Sequence, residues 1–471
     1  MTAISANLKR FFAPMDMTEG NSLKQILRFS IPLLIGNFAQ QMYSTVDAIV
    51  VGNYIGDNAL GAVGLSFPVI MLIFAMFIGI STGAGITVSQ YFGAKERLML
   101  NKAVGTIIVL AFWAGLICTA LGVFVSRPLL VLLNTPAEML DMAVMYQSIY
   151  FAGVISLIYF NVLSGVLRGM GDSVSPLMYL FAASGLNIVL DILFVTQFGM
   201  TTDGVALATV ISQSLAAVLA FRKLRRMTEI LDLNRSTLKL DGGIARKIVK
   251  LGLPLGTMQA VFSVQMILVQ ALMNAMGPLV VTTFTAVMRV DGFIMMPNFT
   301  FAAAATTFTA QNYGAKKLDR IRRGQRDTLM VALTCAVFLM ICLLLFGRQL
   351  MSVFTDTEAV VMLGARVLRI LAAGYVAFAV LQTFVGVMNG MSQTTIPMIM
   401  GVFTALAVRL PLAYLLAYLT RSPAWPNGNP DALYFSQLTA WVFNTMIIVA
   451  IFKWGKWRRR AESILLSEGV S

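Results

Sequence analysis

The chain has 471 residues, 58% of them hydrophobic and 12% charged, and a mean hydropathy of +0.80, which excludes a soluble globular domain of ordinary composition. Its formal charge is +14 and it contains no histidine, so the commonest general base, metal ligand and neutral-pH switch is missing. Cys118, Cys335 and Cys342 lie in apolar stretches without CxxC spacing, which gives no basis for a disulfide or a metal site.

Residues 1–28 are polar or mixed and read as a cytoplasmic N-terminal segment. They lack the short apolar core of a cleavable leader, so the first long apolar stretch is expected to act as its own insertion signal. Stretches long enough to cross a hydrocarbon core run 29–54, 62–92, 103–125, 143–167, 175–197 and 204–221. Six more run 248–274, 281–311, 329–346, 360–388, 396–419 and 433–453. Without period-two alternation they read as helices. The expected fold is therefore an all-α membrane protein of twelve transmembrane helices in two pseudo-symmetric six-helix lobes, 29–221 and 248–453. A cytoplasmic linker, 222–247, joins the lobes, and a basic tail, 454–471, ends the chain. The linker is expected to let the lobes move semi-independently, and Arg246–Lys250 reads either as a short amphipathic segment on the membrane surface or as an ordinary connector.

The two lobes repeat each other. Gln90-Tyr91-Phe92-Gly93-Ala94-Lys95 matches Gln311-Asn312-Tyr313-Gly314-Ala315-Lys316, and Gly169 through Pro176 matches Gly390 through Pro397 at the same offset. Pro32 and Pro254 agree to within one residue. A duplicated bundle suggests a machine that moves one half against the other.

Basic residues are dense in alternate loops. Lys95, Arg97, Lys102 and Arg168 fall in one set with the N-terminal segment, the linker, Lys316–Arg326 and the tail, whereas the opposite loops hold little beyond Arg127, Arg348 and Arg421. This bias places both termini in the cytoplasm and accounts for the positive charge without nucleic acid.

Charges inside spans are costly, about 2.5–3.5 kcal/mol at the bilayer centre. Asp47 and Asp191 lie at matched depth, about 24–27 Å along the first and fifth spans. Each has a polar residue one turn earlier, Tyr43 and Asn187, on the same helix face. Gln40 extends the first stripe, and Thr209 and Gln213 offer donors on the sixth span. A carboxyl pair in poorly solvated surroundings resists double ionisation, which makes it a proton-switch candidate; the bland alternative is interhelical bonding. The repeat positions of the two acids are Val269 and Leu412, so the cluster belongs to the first half. In the second half Arg409 could reach Asp291, while Arg289 and Asp291 are two apart and face different ways; these three read as a structural group, with a cargo contact or second coupling site as the alternative. Met258, Phe262 and Met266 at four-residue spacing, with Met295 and Met296, suit a cavity that adapts to many shapes, although such residues are common in membrane helices.

Taken together, these residues give a chain that resembles the multidrug and toxic compound extrusion (MATE) family over nearly all of 20–455. The likeness rests on Ile31-Pro32 through Tyr43, Val46-Asp47 and Gly52, the Gln90–Lys95 loop and its copy, Leu167 through Asp172 before Pro176, and Asn187 through Asp191. The resemblance implies a V-shaped pair of lobes that exports amphipathic, often cationic, compounds in exchange for protons or sodium. It also implies that Tyr43, Asp47, Asn187, Asp191 and Thr209 serve ion coupling, as in the branch with its acids in the N-terminal lobe. The other bacterial branch has acids on the seventh and tenth helices, and here neither carries one mid-span.

The expected function is proton-coupled multidrug efflux at the bacterial cytoplasmic membrane, a source of antibiotic resistance, by a monomer that is not an enzyme and needs no cofactor. The expected substrate contacts are Gln40, Gln213, Met258, Phe262, Met266 and Met295. Na⁺ remains an alternative ion, held by oxygens of Asp47, Asn187, Asp191 and Thr209. A lipid-linked precursor flippase is the nearest rival, disfavoured by the few basic residues in the spans.

Overall fold

A computed structural model describes residues 14–132, 135–234 and 237–455, with the side chains of 43–44, 46–49, several positions between 53 and 72, and 137 outside the description. The described residues are helical almost throughout, and an isolated bridge between Ser422 and Trp425 is the extent of their strand pairing. In chain order the first helices are α1 Ser22–Val50 with a π turn at Val51–Ile55, α2 Asp57–Gly93, α3 Arg97–Leu132, α4 Ala137–Ala152 and α5 Val154–Gly169. There follow α6 Val174–Thr196, α7 Thr202–Arg226, α8 Gly242–Met276, α9 Pro278–Gly314, α10 Leu318–Ser352 and α11 Glu358–Gly390. The last are α12 Thr395–Phe403, continued through a π turn at Thr404–Arg409 into α13 Leu410–Leu419, and α14 Asp431–Trp454. Ten helices or helix runs among the described residues are long and apolar enough to cross a membrane, and the bent pair α4 and α5 makes an eleventh. Lipid is their solvent: Leu121, Phe124, Phe338 and Leu345 stand more than half exposed on α3 and α10, which only a hydrocarbon surround makes favourable.

The helix breaks carry the repeat into the backbone. Left-handed φ angles occur at Gly56 and Gly277 (113° and 107°), Lys95 and Lys316 (59° and 58°), and Gly171 and Ser392 (84° and 63°). The bonds around them match as well. Lys95 N–H donates to Phe92 and Glu96 N–H to Tyr91, as Lys316 does to Tyr313 and Lys317 to Asn312. At Lys95, Lys316, Gly171 and Ser392 such residues close helices by satisfying the last free carbonyls, whereas Gly56 and Gly277, with ψ of 176° and 172°, are extended in a region open essentially to glycine alone; the short motifs shared by the halves thus encode the same backbone breaks.

Two corrections to the sequence reading concern continuity. The span expected at 143–167 is two helices that meet at Gly153 with a 51° bend. Arg246–Lys250 is no separate surface segment: it lies in the first turns of α8, whose start is capped by the Asp241 carboxylate accepting from Gly243 and Ile244 N–H at 3.0 Å.

The chain divides into two compact units, one of 1–19 with 28–257 and one of 20–27 with 258–471, so the division falls inside α8. In the first unit the core gathers Ile107, Phe151, Leu163, Leu167 and Met170 from α3, α4, α5 and the turn after α5. Small residues let backbones come close there: a side chain at Gly83 of α2 would lie 2.7 Å from the Ile248 carbonyl oxygen of α8, a separation no Cβ tolerates. The linker is anchored on α3. Arg97 pairs with Asp232 at 3.2 Å and donates to Thr228 O at 2.7 Å, Asp232 N–H donates to Asn101 Oδ1 at 3.0 Å, and Asp241 N–H donates to Thr106 Oγ1 at 3.1 Å. In the second unit Val287, Leu368, Leu371 and Tyr375 of α9 and α11 are fully or nearly fully buried together.

Candidate functional site

Helix α6 is regular from Val174 to Thr196, so residues four apart share a face. Asn187 and Asp191 are each 1% exposed on that face. Helix α7 brings Thr209 and Gln213, also buried, against the first unit's interior. Asn187 Nδ2 donates to Thr209 Oγ1 at 3.5 Å, and the Thr209 hydroxyl donates to Val205 O at 3.0 Å. Ser212, buried beside Gln213, adds a hydroxyl that sequence reading left out. The structure therefore unites Asn187 and Thr209 and seals Asp191 one turn away, inside a span. Removing a carboxylate from water in this way is unfavourable unless a proton, a cation or donors compensate it. The side chains of Tyr43 and Asp47 lie outside the described residues; their backbone belongs to α1. Gln40 is exposed on the same helix.

The second unit holds its own polar group, differently made. Asp291 of α9 accepts a hydrogen bond from the Tyr375 hydroxyl of α11. Arg409, at the end of the π turn, donates to Gln437 Oε1 of α14. Asp291 and Arg409 act on each other electrostatically. Arg289 is exposed and stands apart from them. Tyr375 and Gln437 were absent from the sequence reading, because a buried tyrosine 84 residues from its acid carries no local signal.

The four apolar residues expected to contact substrate separate by environment. Met266 and Met295 are partly buried and pack against the second unit's core. Phe262 is 39% exposed, and Met258 lies against Gly401.

A family model described as MatE matches residues 32–193 and 254–415, one match to each half. The chain is 27% identical over 444 residues to a probable multidrug resistance protein, YpnP, of Bacillus subtilis (strain 168), covering 94% of this chain and 97% of that one. It is 24% identical over 401 residues to an FAD transporter of Shewanella oneidensis (strain ATCC 700550 / JCM 31522 / CIP 106686 / LMG 19005 / NCIMB 14063 / MR-1), covering 84% of this chain and 88% of the relative. A crystal structure of MATE in the bent conformation superposes with a TM-score of 0.87 at 24% identity, over 97% of this chain and 98% of that one.

Proposed function

The chain belongs to the MatE family of multidrug-efflux transporters, and we propose that it exports amphipathic, cationic compounds across the cytoplasmic membrane in exchange for protons. Both termini face the cytoplasm in this reading, and a single chain is the working unit. The observation that carries it is the sealed Asp191, one turn from the Asn187–Thr209 bond in the first unit. A carboxyl so placed changes its energy greatly with its charge, and loading it with a proton biases the conformation that best solvates it.

In the cycle we propose, cargo binds while Asp47 and Asp191 are ionised, and protonation from outside disfavours the loaded state, so cargo leaves as protons enter. One proton moving down about 150 mV supplies roughly 3.5 kcal/mol. Exporting a neutral compound against a hundredfold gradient requires about 2.8 kcal/mol, so one proton suffices. A cation exported by one proton gains nothing from the potential and relies on the pH gradient or on a second proton. Gln40, Gln213, Met258, Phe262, Met266 and Met295 are proposed to contact cargo, whereas Asp291, Tyr375 and Arg409 are proposed to hold helices α9, α11 and α12–α13 in place.

The test is dye efflux from vesicles carrying a pH gradient, a Na⁺ gradient or neither. Efflux driven by the pH gradient and lost in Asp47→Asn, with normal membrane insertion, is the expected result. Efflux that follows Na⁺ alone transfers the same residues to sodium coupling, and undiminished proton release in Asp47→Asn rejects them. The relative named an FAD transporter makes flavin nucleotide the second cargo class to include in the same vesicles.

A further inference from the structure

Arg168 looks, from its place in the sequence, like one more positive charge at the cytoplasmic edge. Its surroundings are less ordinary. It sits in the last turn of α5, half-buried, and its guanidinium makes no hydrogen bond or ion pair among the described residues. It lines a cavity of about 100 Å³ together with Phe74, Phe77, Ser81 and Thr82 of α2 and Asn161 of α5. Arg168 is the charged member of that lining. The nearest acid in sequence, Asp172, is already engaged: it accepts from Ser175 at 2.8 and 2.6 Å and pairs with Lys223 at 3.9 Å.

The other polar groups cannot supply a counter-charge. The Ser81 hydroxyl donates to Asn161 O at 3.3 Å, Thr82 to Ile78 O at 2.9 Å, and Asn161 Nδ2 to Leu157 O at 2.9 Å. A permanently charged guanidinium with its donors unused, facing a half-open cavity, has its best match in a planar anion. Phe74 and Phe77, three apart on α2, give the cavity an aromatic wall. Drug-sized sites run to about 300–1,000 Å³, so this space grips one end of a molecule, while exposed Thr82 and Asn161 mark the mouth through which the rest extends.

We propose that this cavity binds the carboxylate end of an aromatic acid, with Arg168 as its counter-ion. The site is separate from the buried acid on α6 and needs no gradient to be filled. Arginine stays charged throughout the neutral range, so binding is flat with pH where the proposed proton cycle is not.

The experiment is equilibrium binding of labelled benzoate to the full chain in phosphatidylcholine nanodiscs, with benzyl alcohol and acetate as competitors. Saturable benzoate binding that neither competitor displaces is expected, with affinity lowered about tenfold or more in Arg168→Gln. Asn161→Asp, which sets a carboxylate two turns from the guanidinium on the same face, should lower it similarly and decides the matter if Arg168→Gln fails to fold. Unchanged benzoate binding in a folded variant, or displacement by benzyl alcohol, overturns the site. Displacement by acetate as strong as by benzoate itself overturns the aromatic half of the proposal. Because no gradient is applied, failure here leaves proton coupling untouched, and failure of proton coupling leaves this result intact.

Discussion

The two halves of the chain keep their turns and lose their chemistry. Gly56, Lys95 and Gly171 are mirrored in backbone conformation by Gly277, Lys316 and Ser392, yet buried Asp191 has Leu412 at its repeat position. Helix regularity diverges as well. Gly153 marks a 51° break between α4 and α5, whereas its counterpart Gly374 lies inside unbroken α11. Conversely α6 runs without interruption while the matching stretch of the second half carries the π turn Thr404–Arg409, the kind of irregularity that often marks a specialised position. The lesson is that helix ends, fixed by local backbone demands, outlast duplication, whereas interior polar groups are free to specialise.

The largest expected effect separates the acids of the two halves. Asp191→Asn should reduce pH-driven dye efflux to that of vesicles without protein, while Asp291→Asn, which retains an acceptor for Tyr375 but takes the counter-charge from Arg409, should lower thermal stability by about 3–5 kcal/mol and leave efflux by the folded protein coupled to the pH gradient. Equal losses would erase the distinction between a coupling half and a structural one.

A smaller effect tests the turns. Gly171→Ser should destabilise the fold by about 1–2 kcal/mol from handedness alone, and by more because a side chain there would lie 2.9 Å from the Met15 amide nitrogen. Ser392→Gly, the reverse exchange at the matching turn, should shift stability by no more than about 1 kcal/mol. Thermal unfolding in detergent compares the two directly.

The smallest effect is on pH dependence. Burial pushes the Asp172 carboxyl above its usual range, against the opposing bonds from Ser175 and the charge of Lys223. Its folded state thus holds a proton more readily than the unfolded chain. Its contribution to stability is fully present below the unfolded value of about 3.9 and declines as pH rises through the higher folded value. Lys223→Met should raise that folded value further, read by carboxyl ¹³C shifts, and a downward move would contradict the pairing.

Much of the arrangement was legible because helical periodicity is strict. Asn187 with Asp191, and Thr209 with Gln213, are four apart, and each pair was assigned to one face that the structure buries. The bend at Gly153 was not legible, since membrane helices carry many glycines, and what sets this one apart, a Val210 side chain that leaves no room for a Cβ, comes from a helix more than fifty residues away. The linker's anchors on Arg97, Asn101 and Thr106 were not legible either, because they join residues more than a hundred positions apart. The charge of Arg168 was read as topology because sequence counts charges without seeing what surrounds them.

Gly171 has one more consequence. Met15 N–H donates to Met170 O at 3.2 Å, so the leading segment of the chain lies directly over this turn and forbids any larger residue. The second copy of the turn bears serine. The two copies of the turn therefore work under different demands: the first is overlaid by Met15 and has no room for a side chain, while its counterpart carries one at the same left-handed backbone position.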